Sequence, residues 1–532
     1  MKTQVVMAAT SLATSAAAAQ QNVLPLPPMG FNNWARFMTN INESIFVDAA
    51  EAMSKNGLLK AGYDRLNLDD AWSTMERAKN GSMVWDTAKF PKGLPWLTQF
   101  MKSKGFIPGI YTDAGNLSCG GYPGALDHEA IDLKDFQDWG FEYLKMDGCN
   151  LPDDSEATYR EVYSRWPKVI SEASRPMVFS DSAPAYFSNQ KNLTDWYSVM
   201  VWAAEYGQLA RHSADVATYP KGNGWRSIMF NYGQNVRLAR FQKPGFFNDP
   251  DFLIPDHPSF TMDEKKTQFA LWCSLSAPLL LSADIPSLSK DIIDFLTNKD
   301  LIAVNQDKLI EQSTLVSQDG TWDVLTKNLE NGDRLLTILN RGASAADLKV
   351  SWERIGFSTK ALGNSNIQIK DLWTGKTSKV AASAGGITAS KVPSHGTAVF
   401  RISKTASPVT ATGMIFNTNT LKCLTDDKSG KVTWAACNAA DAQVWAVRAD
   451  GHINSLLRPD ECIVDAKGKI LSRHSGCRSD SWTYKISGNV INNVSGKCLT
   501  EGTDGSATAE SCGYLLNEQV VALPVGVKVV EK

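Results

Sequence analysis

Between Leu24 and about Ile310, short apolar runs alternate with longer amphipathic stretches at intervals of roughly 35 residues, the pattern of repeated strand–helix units. Strands are predicted at Gly30–Trp34, Tyr63–Leu68, Phe106–Tyr111, Tyr143–Met146, Met177–Ser180, Gln208–Arg211, Gly245–Asn248 and Leu279–Ser282. Helices are predicted at Ile45–Leu59, Leu94–Lys104, Leu133–Trp139, Glu156–Ser174, Trp225–Phe230 and Lys265–Ser276. Eight such strands with crossover helices predict a closed parallel barrel.

The texture changes from about Glu311 to Ser403, where alternating segments such as Trp322–Leu325, Arg334–Leu339 and Thr397–Ile402 stand between Asn-Gly and Gly-rich turns. Alternation with period two predicts antiparallel strands of a small sandwich. Lys404–Thr412 is rich in Pro, Ser and Thr and reads as a linker. Beyond it the chain repeats. Cys423 and Cys437, Cys462 and Cys477, and Cys498 and Cys512 are 14, 15 and 14 apart, and each unit opens as Cys-Leu or Cys-Ile with Asp426, Asp465 or Glu501 three residues on. Each pair would close its own repeat with a disulfide.

Length and charge narrow the classes. A chain of 532 residues exceeds one hydrophobic core. Its net charge of -2 invites no nucleic acid, and no later apolar run approaches the ~20 residues that span a membrane. Residues 1–20 differ: Lys2 precedes the small apolar run Val5–Ala19, as in a secretory signal peptide. An exported, extracellular chain agrees with the disulfide framework and with five N-x-S/T sequons, at Asn42, Asn80, Asn116, Asn192 and Asn493. Cys273 lies in an apolar run and reads as a buried thiol, which leaves Cys119 and Cys149 to pair.

Charged residues follow most barrel strands: Asp69 and Asp70, Asp113, Asp147, Arg211 with Asp215, and Asp249 with Asp251. One acid past one strand is an ordinary helix cap, but five strands ending so point to a polar pocket at the C-terminal face. Trp34, Trp72, Tyr111 and Trp202 fall near strand ends and would offer faces for sugar rings. No His pair has metal-ligand spacing, and neither a phosphate-cradling Gly loop nor a G-x-S-x-G elbow occurs, so neither metal nor cofactor is expected. Two carboxylates flanking a glycosidic bond are the simplest chemistry left.

The motifs Met29–Trp34 (MGFNNW), Asn67–Trp72 (NLDDAW), Gly109–Asp113 (GIYTD), Tyr143–Cys149 (YLKMDGC), Arg211–Asp215 (RHSAD), Asn248–Asp251 (NDPD) and Val304–Asp307 (VNQD) together resemble the melibiase family, glycoside hydrolase family twenty-seven. That resemblance implies a (β/α)₈ TIM barrel, a β-sandwich after it, and hydrolysis of terminal α-galactosides or α-N-acetylgalactosaminides with retention. Asp147 matches the nucleophile and Asp215 the acid/base. Asp69 and Asp70 match the clamp on the 4- and 6-hydroxyls, Lys145 the contact to the 3- and 4-hydroxyls, Arg211 that to the 2-position, and Trp34 an apolar wall. Tyr111 is expected beside the nucleophile and Asp251 near the entrance. Ser182 and Ala185 stand where galactosidases of the family carry Glu and Leu, which implies room for a 2-acetamido group.

The C-terminal repeat, with Gln443-Val-Trp445 and its counterparts Asp480-Ser-Trp482 and Gln519-Val-Val521, resembles the ricin-type β-trefoil, whose members bind carbohydrate. The expected architecture is therefore α/β: signal peptide at 1–20, barrel at 21–310, antiparallel β-sandwich at 311–403, linker at 404–412 and β-trefoil lectin domain at 413–532. The expected partners are α-galactosyl or α-N-acetylgalactosaminyl oligosaccharides, polysaccharides or glycoconjugates, without nucleic acid or membrane. Rival readings are α-N-acetylgalactosaminidase as the main activity, a binding protein that has lost catalysis, and a relative acting on β-L-arabinopyranosides or α-glucans.

Overall fold

A computed structural model describes residues 23–477 and 479–531; the expected signal peptide lies outside them. Eight parallel strands, β1 (Met29–Asn32), β2 (Arg65–Leu68), β3 (Ile107–Asp113), β4 (Tyr143–Asp147), β5 (Val178–Asp181), β6 (Leu209–Arg211), β7 (Phe247–Asp249) and β8 (Leu279–Leu281), run in the order β7-β6-β5-β4-β3-β2-β1-β8. The ring closes where Leu253, just past β7, bridges Leu281 in parallel. Covered on both faces, these strands are buried along nearly their whole length, their polar residues included. Gly30 permits a close seam with β2, since a Cβ there would stand 2.3 Å from the Arg65 carbonyl oxygen.

The longer barrel helices are α1 (Glu43–Asn56), α2 (Leu94–Ser103), α3 (Glu129–Asp138), α4 (Glu156–Tyr163), α5 (Thr194–Tyr206), α6 (Gly224–Asn235) and α7 (Met262–Ser274). Asn42 caps α1 by accepting from the Ile45 N–H, and Thr261 with Glu264 forms a reciprocal capping box on α7. Three helices differ from the sequence expectation. The stretch Glu156–Ser174 breaks into α4 and a second piece at Arg165–Ser171. Pro167 there has no N–H to continue the ladder. Helix α6 runs five residues past Phe230 because its later core-facing positions are polar: Asn231 donates to the Ala214 and Pro250 carbonyls, and Asn235 Nδ2 to His212 Nε2. Helix α5 has no counterpart among the predicted helices. Trp196, Tyr197, Val199, Met200, Trp202 and Ala203 are all buried in it, so no polar stripe marks its period.

Antiparallel strands between Thr314 and Ile402 form a six-stranded and a two-stranded sheet enclosing Trp352, Phe357 and Ile402. From Ala411 onward, mostly antiparallel strands form the trefoil. One disulfide closes each of its repeats: Cys423 is bonded to Cys437, Cys462 to Cys477, and Cys498 to Cys512. The repeats are built alike. Trp445 Nε1 donates to the Leu424 carbonyl and Trp482 Nε1 to that of Ile463, while Gln443 and Gln519 bridge Thr425 and Thr500 to nearby carbonyls.

The segment Lys404–Thr412 is no free linker. Ser407 is buried, the Thr410 N–H bonds to the Gly356 carbonyl, and Ala411 and Thr412 already pair with Val447 and Ala446. The trefoil also packs on the barrel. Tyr197 hydroxyl meets Thr418 Oγ1 at 2.7 Å, Thr194 Oγ1 donates to the Leu515 carbonyl, and the Leu193 N–H to Asn517 Oδ1. No described helix is long and apolar enough to cross a membrane.

Candidate active site

Strand β4 carries Lys145 and Asp147 two residues apart, so both side chains leave on the same face. Beside it, Asp113 of β3 is in register with Asp147. The loop after β2 supplies Asp69 and Asp70, that after β6 supplies Asp215, and that after β7 supplies Asp251. All of these positions lie at the C-terminal ends of the strands.

Lys145 Nζ sits 2.7 Å from Asp69 Oδ2, which also accepts from Asn32 Nδ2. The ammonium is 5.0 Å from the centre of the Tyr111 ring and 5.3 Å from that of Phe252. Burial opposes its charge, but the Asp69 and Asp147 carboxylates more than offset that and raise its pKa. Its direct partner is therefore Asp69, with Asp147 acting through its field. Asp70 is buried and raised by that burial, although Gly120 and Ala71 N–H groups bond its two oxygens.

Asp147 Oδ1 accepts from the Tyr186 hydroxyl at 2.5 Å and from the Gly148 N–H at 3.1 Å. Tyr186 lies in the 3-10 turn Ala183–Phe187 after β5, and sequence reasoning missed it. The only cue was its place beside Ala185; the contact spans 39 residues. Tyr111 is buried, with its hydroxyl unpartnered in the same region. Asp113 also went unassigned. Its Oδ2 accepts from the Cys149 N–H and its Oδ1 from the Gly115 N–H, while burial and the adjacent Asp147 push its pKa well up. Cys119 is bonded to Cys149, so the loop after Asp147 is tied to the loop after Asp113; Cys273 is a buried free thiol.

Arg211 Nη2 contacts Asp215 Oδ1 at 2.7 Å and Asp251 Oδ2 at 3.4 Å. Trp34 Nε1 donates to Asp215 Oδ2 at 3.3 Å. Burial works to raise the Asp215 pKa, but the charge and hydrogen bond of Arg211 outweigh it and leave it lowered. Asp251, expected near the entrance, is instead only 3% exposed beneath Arg211, where its Oδ2 accepts from the Val216 N–H and burial raises its pKa. Ser182 Oγ, Arg211 Nε and Asp251 Oδ1 are buried without partners, and all three residues line one cavity of about 10 Å³. Ala185 stands outside it, half-buried.

Two expected platforms are elsewhere. Trp72 is buried edge-on to Phe136 and Trp139, and Trp202 lies within α5 against Tyr163 and Tyr206. The period that places an aromatic near a strand end does not say which way it faces. The sequon residues Asn42, Asn80, Asn116, Asn192 and Asn493 are all exposed. In the trefoil, Asp426 is held by Arg458, Asp465 accepts from the Gly468 N–H, and Glu501 is held by Lys422.

Comparison with known proteins agrees with the three-part architecture. Residues 26–307 match the melibiase model described as alpha galactosidase A, residues 319–402 the alpha galactosidase C-terminal beta sandwich domain, and residues 411–519 the ricin-type beta-trefoil lectin domain. An alpha-galactosidase A of Aspergillus niger is 47% identical over 98% of this chain and 96% of its own length. Alpha-galactosidase 2 of Arabidopsis thaliana is 34% identical over 65% of this chain and 82% of its own. The crystal structure of alpha-galactosidase I from Mortierella vinacea superposes with a TM-score of 0.65 at 26% identity, covering 73% of this chain and 99% of that one.

Proposed function

Because the chain belongs to the melibiase family of glycoside hydrolases, we propose that it is a secreted exo-α-galactosidase that retains anomeric configuration through a double displacement. The observation that carries this reading is the placing of two carboxylates on one barrel face, Asp147 within the field of Lys145 and Asp215 on Arg211.

In the first step an oxygen of Asp147 attacks the anomeric carbon while Asp215 gives its proton to the departing glycosidic oxygen, leaving a covalent galactosyl ester. In the second, Asp215 takes a proton from water, whose oxygen displaces Asp147. The Tyr186 hydroxyl and Gly148 N–H hold the attacking carboxylate in place, and the return of negative charge to it on the second displacement is eased by the same two donors. Buried Asp69 and Asp70 act as acceptors for the 4- and 6-hydroxyls and Lys145 as a donor to the 3- and 4-hydroxyls. A sugar lacking an axial 4-hydroxyl would leave these groups unpaired, which supports galactose over glucose.

At the 2-position, Ser182 Oγ and Arg211 Nε are the free partners for a hydroxyl. The cavity they share with Asp251, about 10 Å³, suits a hydroxyl. An acetamido group would have to lie on the outer side, over the Ala185 methyl. Small residues at 182 and 185 support acceptance of α-N-acetylgalactosamine as a second substrate. Four disulfides and the N-terminal leader support export, and the exposed sequons support N-glycosylation. The trefoil would add weak carbohydrate binding. The repeat acids are already committed to internal bonds, so its sites would use other groups of each repeat.

The test is Asp147→Asn assayed on an aryl α-galactoside. Loss of hydrolysis by about 10³-fold or more is expected when a nucleophile is removed; an unchanged rate would overturn the mechanism.

A further inference from the structure

A cavity of about 400 Å³ lies where the three parts of the chain meet, on the side of the barrel from which the strands start. It is lined by the segment leading into β7, by the first residues of the sandwich and by the last strands of the trefoil. Arg237, Arg240, Lys243 and Lys528 face Glu311 and Glu531 across it.

The charges do not balance. Lys243 pairs with Glu531 at 2.8 Å. Glu311 is engaged by the Asn328 N–H and side chain, and burial raises its pKa toward the neutral form. Among the described residues, Arg237 and Arg240 have no ion pair. Arg237 Nε donates to the Gly233 carbonyl, while Arg240 Nε and Nη1 donate to the carbonyls of Ile486 and Arg237. Arg240 is 6% exposed, flanked by the Tyr197 and Phe241 rings, and its guanidinium also meets the Tyr484 hydroxyl of the trefoil. Guanidinium groups keep their charge when buried, and a buried charge with no counter-charge is unfavourable. The trefoil side of the cavity is apolar, from Leu523 to Val527.

We infer that this junction is a binding site for a small organic anion: a carboxylate that pairs with the Arg237 guanidinium within the field of buried Arg240, carried on an apolar body that lies against Leu523 and Val525. Planar guanidinium forks match a carboxylate, and the apolar wall favours a ring or short chain over a fully hydrated ion. Such a ligand touches barrel, sandwich and trefoil at once. Binding only the docked arrangement, it would stabilise that arrangement by mass action. The reaction site is on the opposite face, so turnover should not depend on it.

Benzoate is the probe, with benzyl alcohol as its neutral counterpart and chloride at equal ionic strength as the control. On the full chain, millimolar benzoate should raise the melting temperature saturably by a few degrees, and benzyl alcohol and chloride should not. Arg240 ties the trefoil to the barrel, so Arg237→Gln is the informative variant, and it should melt near the parent without benzoate and lose the shift. Isothermal titration of the unmodified protein, giving one site per chain, keeps the test independent of any folding defect. Benzoate equalled by benzyl alcohol or chloride, a full shift surviving in Arg237→Gln, or competitive inhibition of aryl α-galactoside hydrolysis at the same concentrations would each overturn the inference.

Discussion

Arg211 Nη2 stands 2.7 Å from Asp215 Oδ1, which lowers the pKa of the residue proposed to protonate the leaving group. A general acid must start protonated; in the free protein its nearest partner favours the ion. The two fit together only if the enzyme works on the acid side of neutral, or if a bound substrate draws Arg211 toward its 2-hydroxyl.

A pH profile tests this. The basic limb of kcat/KM reports the free enzyme's general acid, and a lowered pKa places that limb at acid pH. Arg211→Gln removes the cation, so the Asp215 pKa rises and the limb should move to higher pH by about one pH unit, with a higher KM from the lost hydroxyl contact. A limb that stays in place would exclude Asp215 as the acid.

Tyr186→Phe keeps the ring and deletes the donor to Asp147. Losing a hydrogen bond to a charged group is worth about 1.5–3 kcal/mol, so kcat/KM on an aryl α-galactoside should fall roughly ten- to a hundredfold. Because Tyr186 is exposed, the melting temperature should barely move. A normal rate would make the contact incidental.

The 2-position argument is checked by the rate ratio for aryl α-N-acetylgalactosaminide and aryl α-galactoside. Ala185→Leu fills the outer side over which an acetamido group must lie. It should depress the N-acetylgalactosaminide rate by at least about tenfold, as clashes of a few methylenes do, and change the galactoside rate much less. If the parent itself turns over only the galactoside, Ser182 and Ala185 do not confer the second substrate.

The strand ends were legible to within one or two residues, because eight buried runs punctuated by Gly and Asp carry their own boundaries. Asp147 and Lys145 follow from that register, since the residue at a strand tip must face the site, and Asp69 and Asp70 stand directly after β2. Side chains that reach the site from farther along the loops do not follow. Tyr186 comes from a turn whose path depends on packing against Tyr159 and Phe187, and Asp251 turned inward because Arg211 and the Val216 N–H claim its carboxylate. Helix α5 was illegible because its buried surface is nearly all apolar, and the packed linker because Pro and Ser suit an extended strap as well as a free tether.

Asp181, at the end of β5, gives a stability prediction. Burial pushes its pKa up to about 8; its Oδ1 accepts from the Ala183 N–H, and its Oδ2 is buried without a partner. Unfolded, it titrates near about 3.9. Its contribution is therefore complete below the unfolded value and is lost as pH rises through the folded one. Asp181→Asn keeps the acceptor without the proton, so its gain in melting temperature over the parent should be slight near pH 4 and reach several degrees above about pH 8. A difference that is flat with pH would show that Asp181 is not buried as a neutral acid.

The trefoil is expected to support the barrel as well as carry a binding surface. Phe416, Cys423, Leu515 and Val520 belong to the same buried apolar cluster as the barrel core, and α5, which Thr418 and Leu515 of the trefoil contact, adjoins the turn that carries Tyr186. Ending the chain at Ser403 would therefore expose part of α5 as well as remove a module. Its melting temperature should fall by many degrees, and kcat should fall with it as the Tyr186 turn loosens. Tyr197→Phe, which removes only the contact to Thr418, should cost about 1 kcal/mol and leave kcat intact. A truncated chain with unchanged melting and kcat would mean that the trefoil is a tethered module and that the shared cluster contributes nothing to the reaction face.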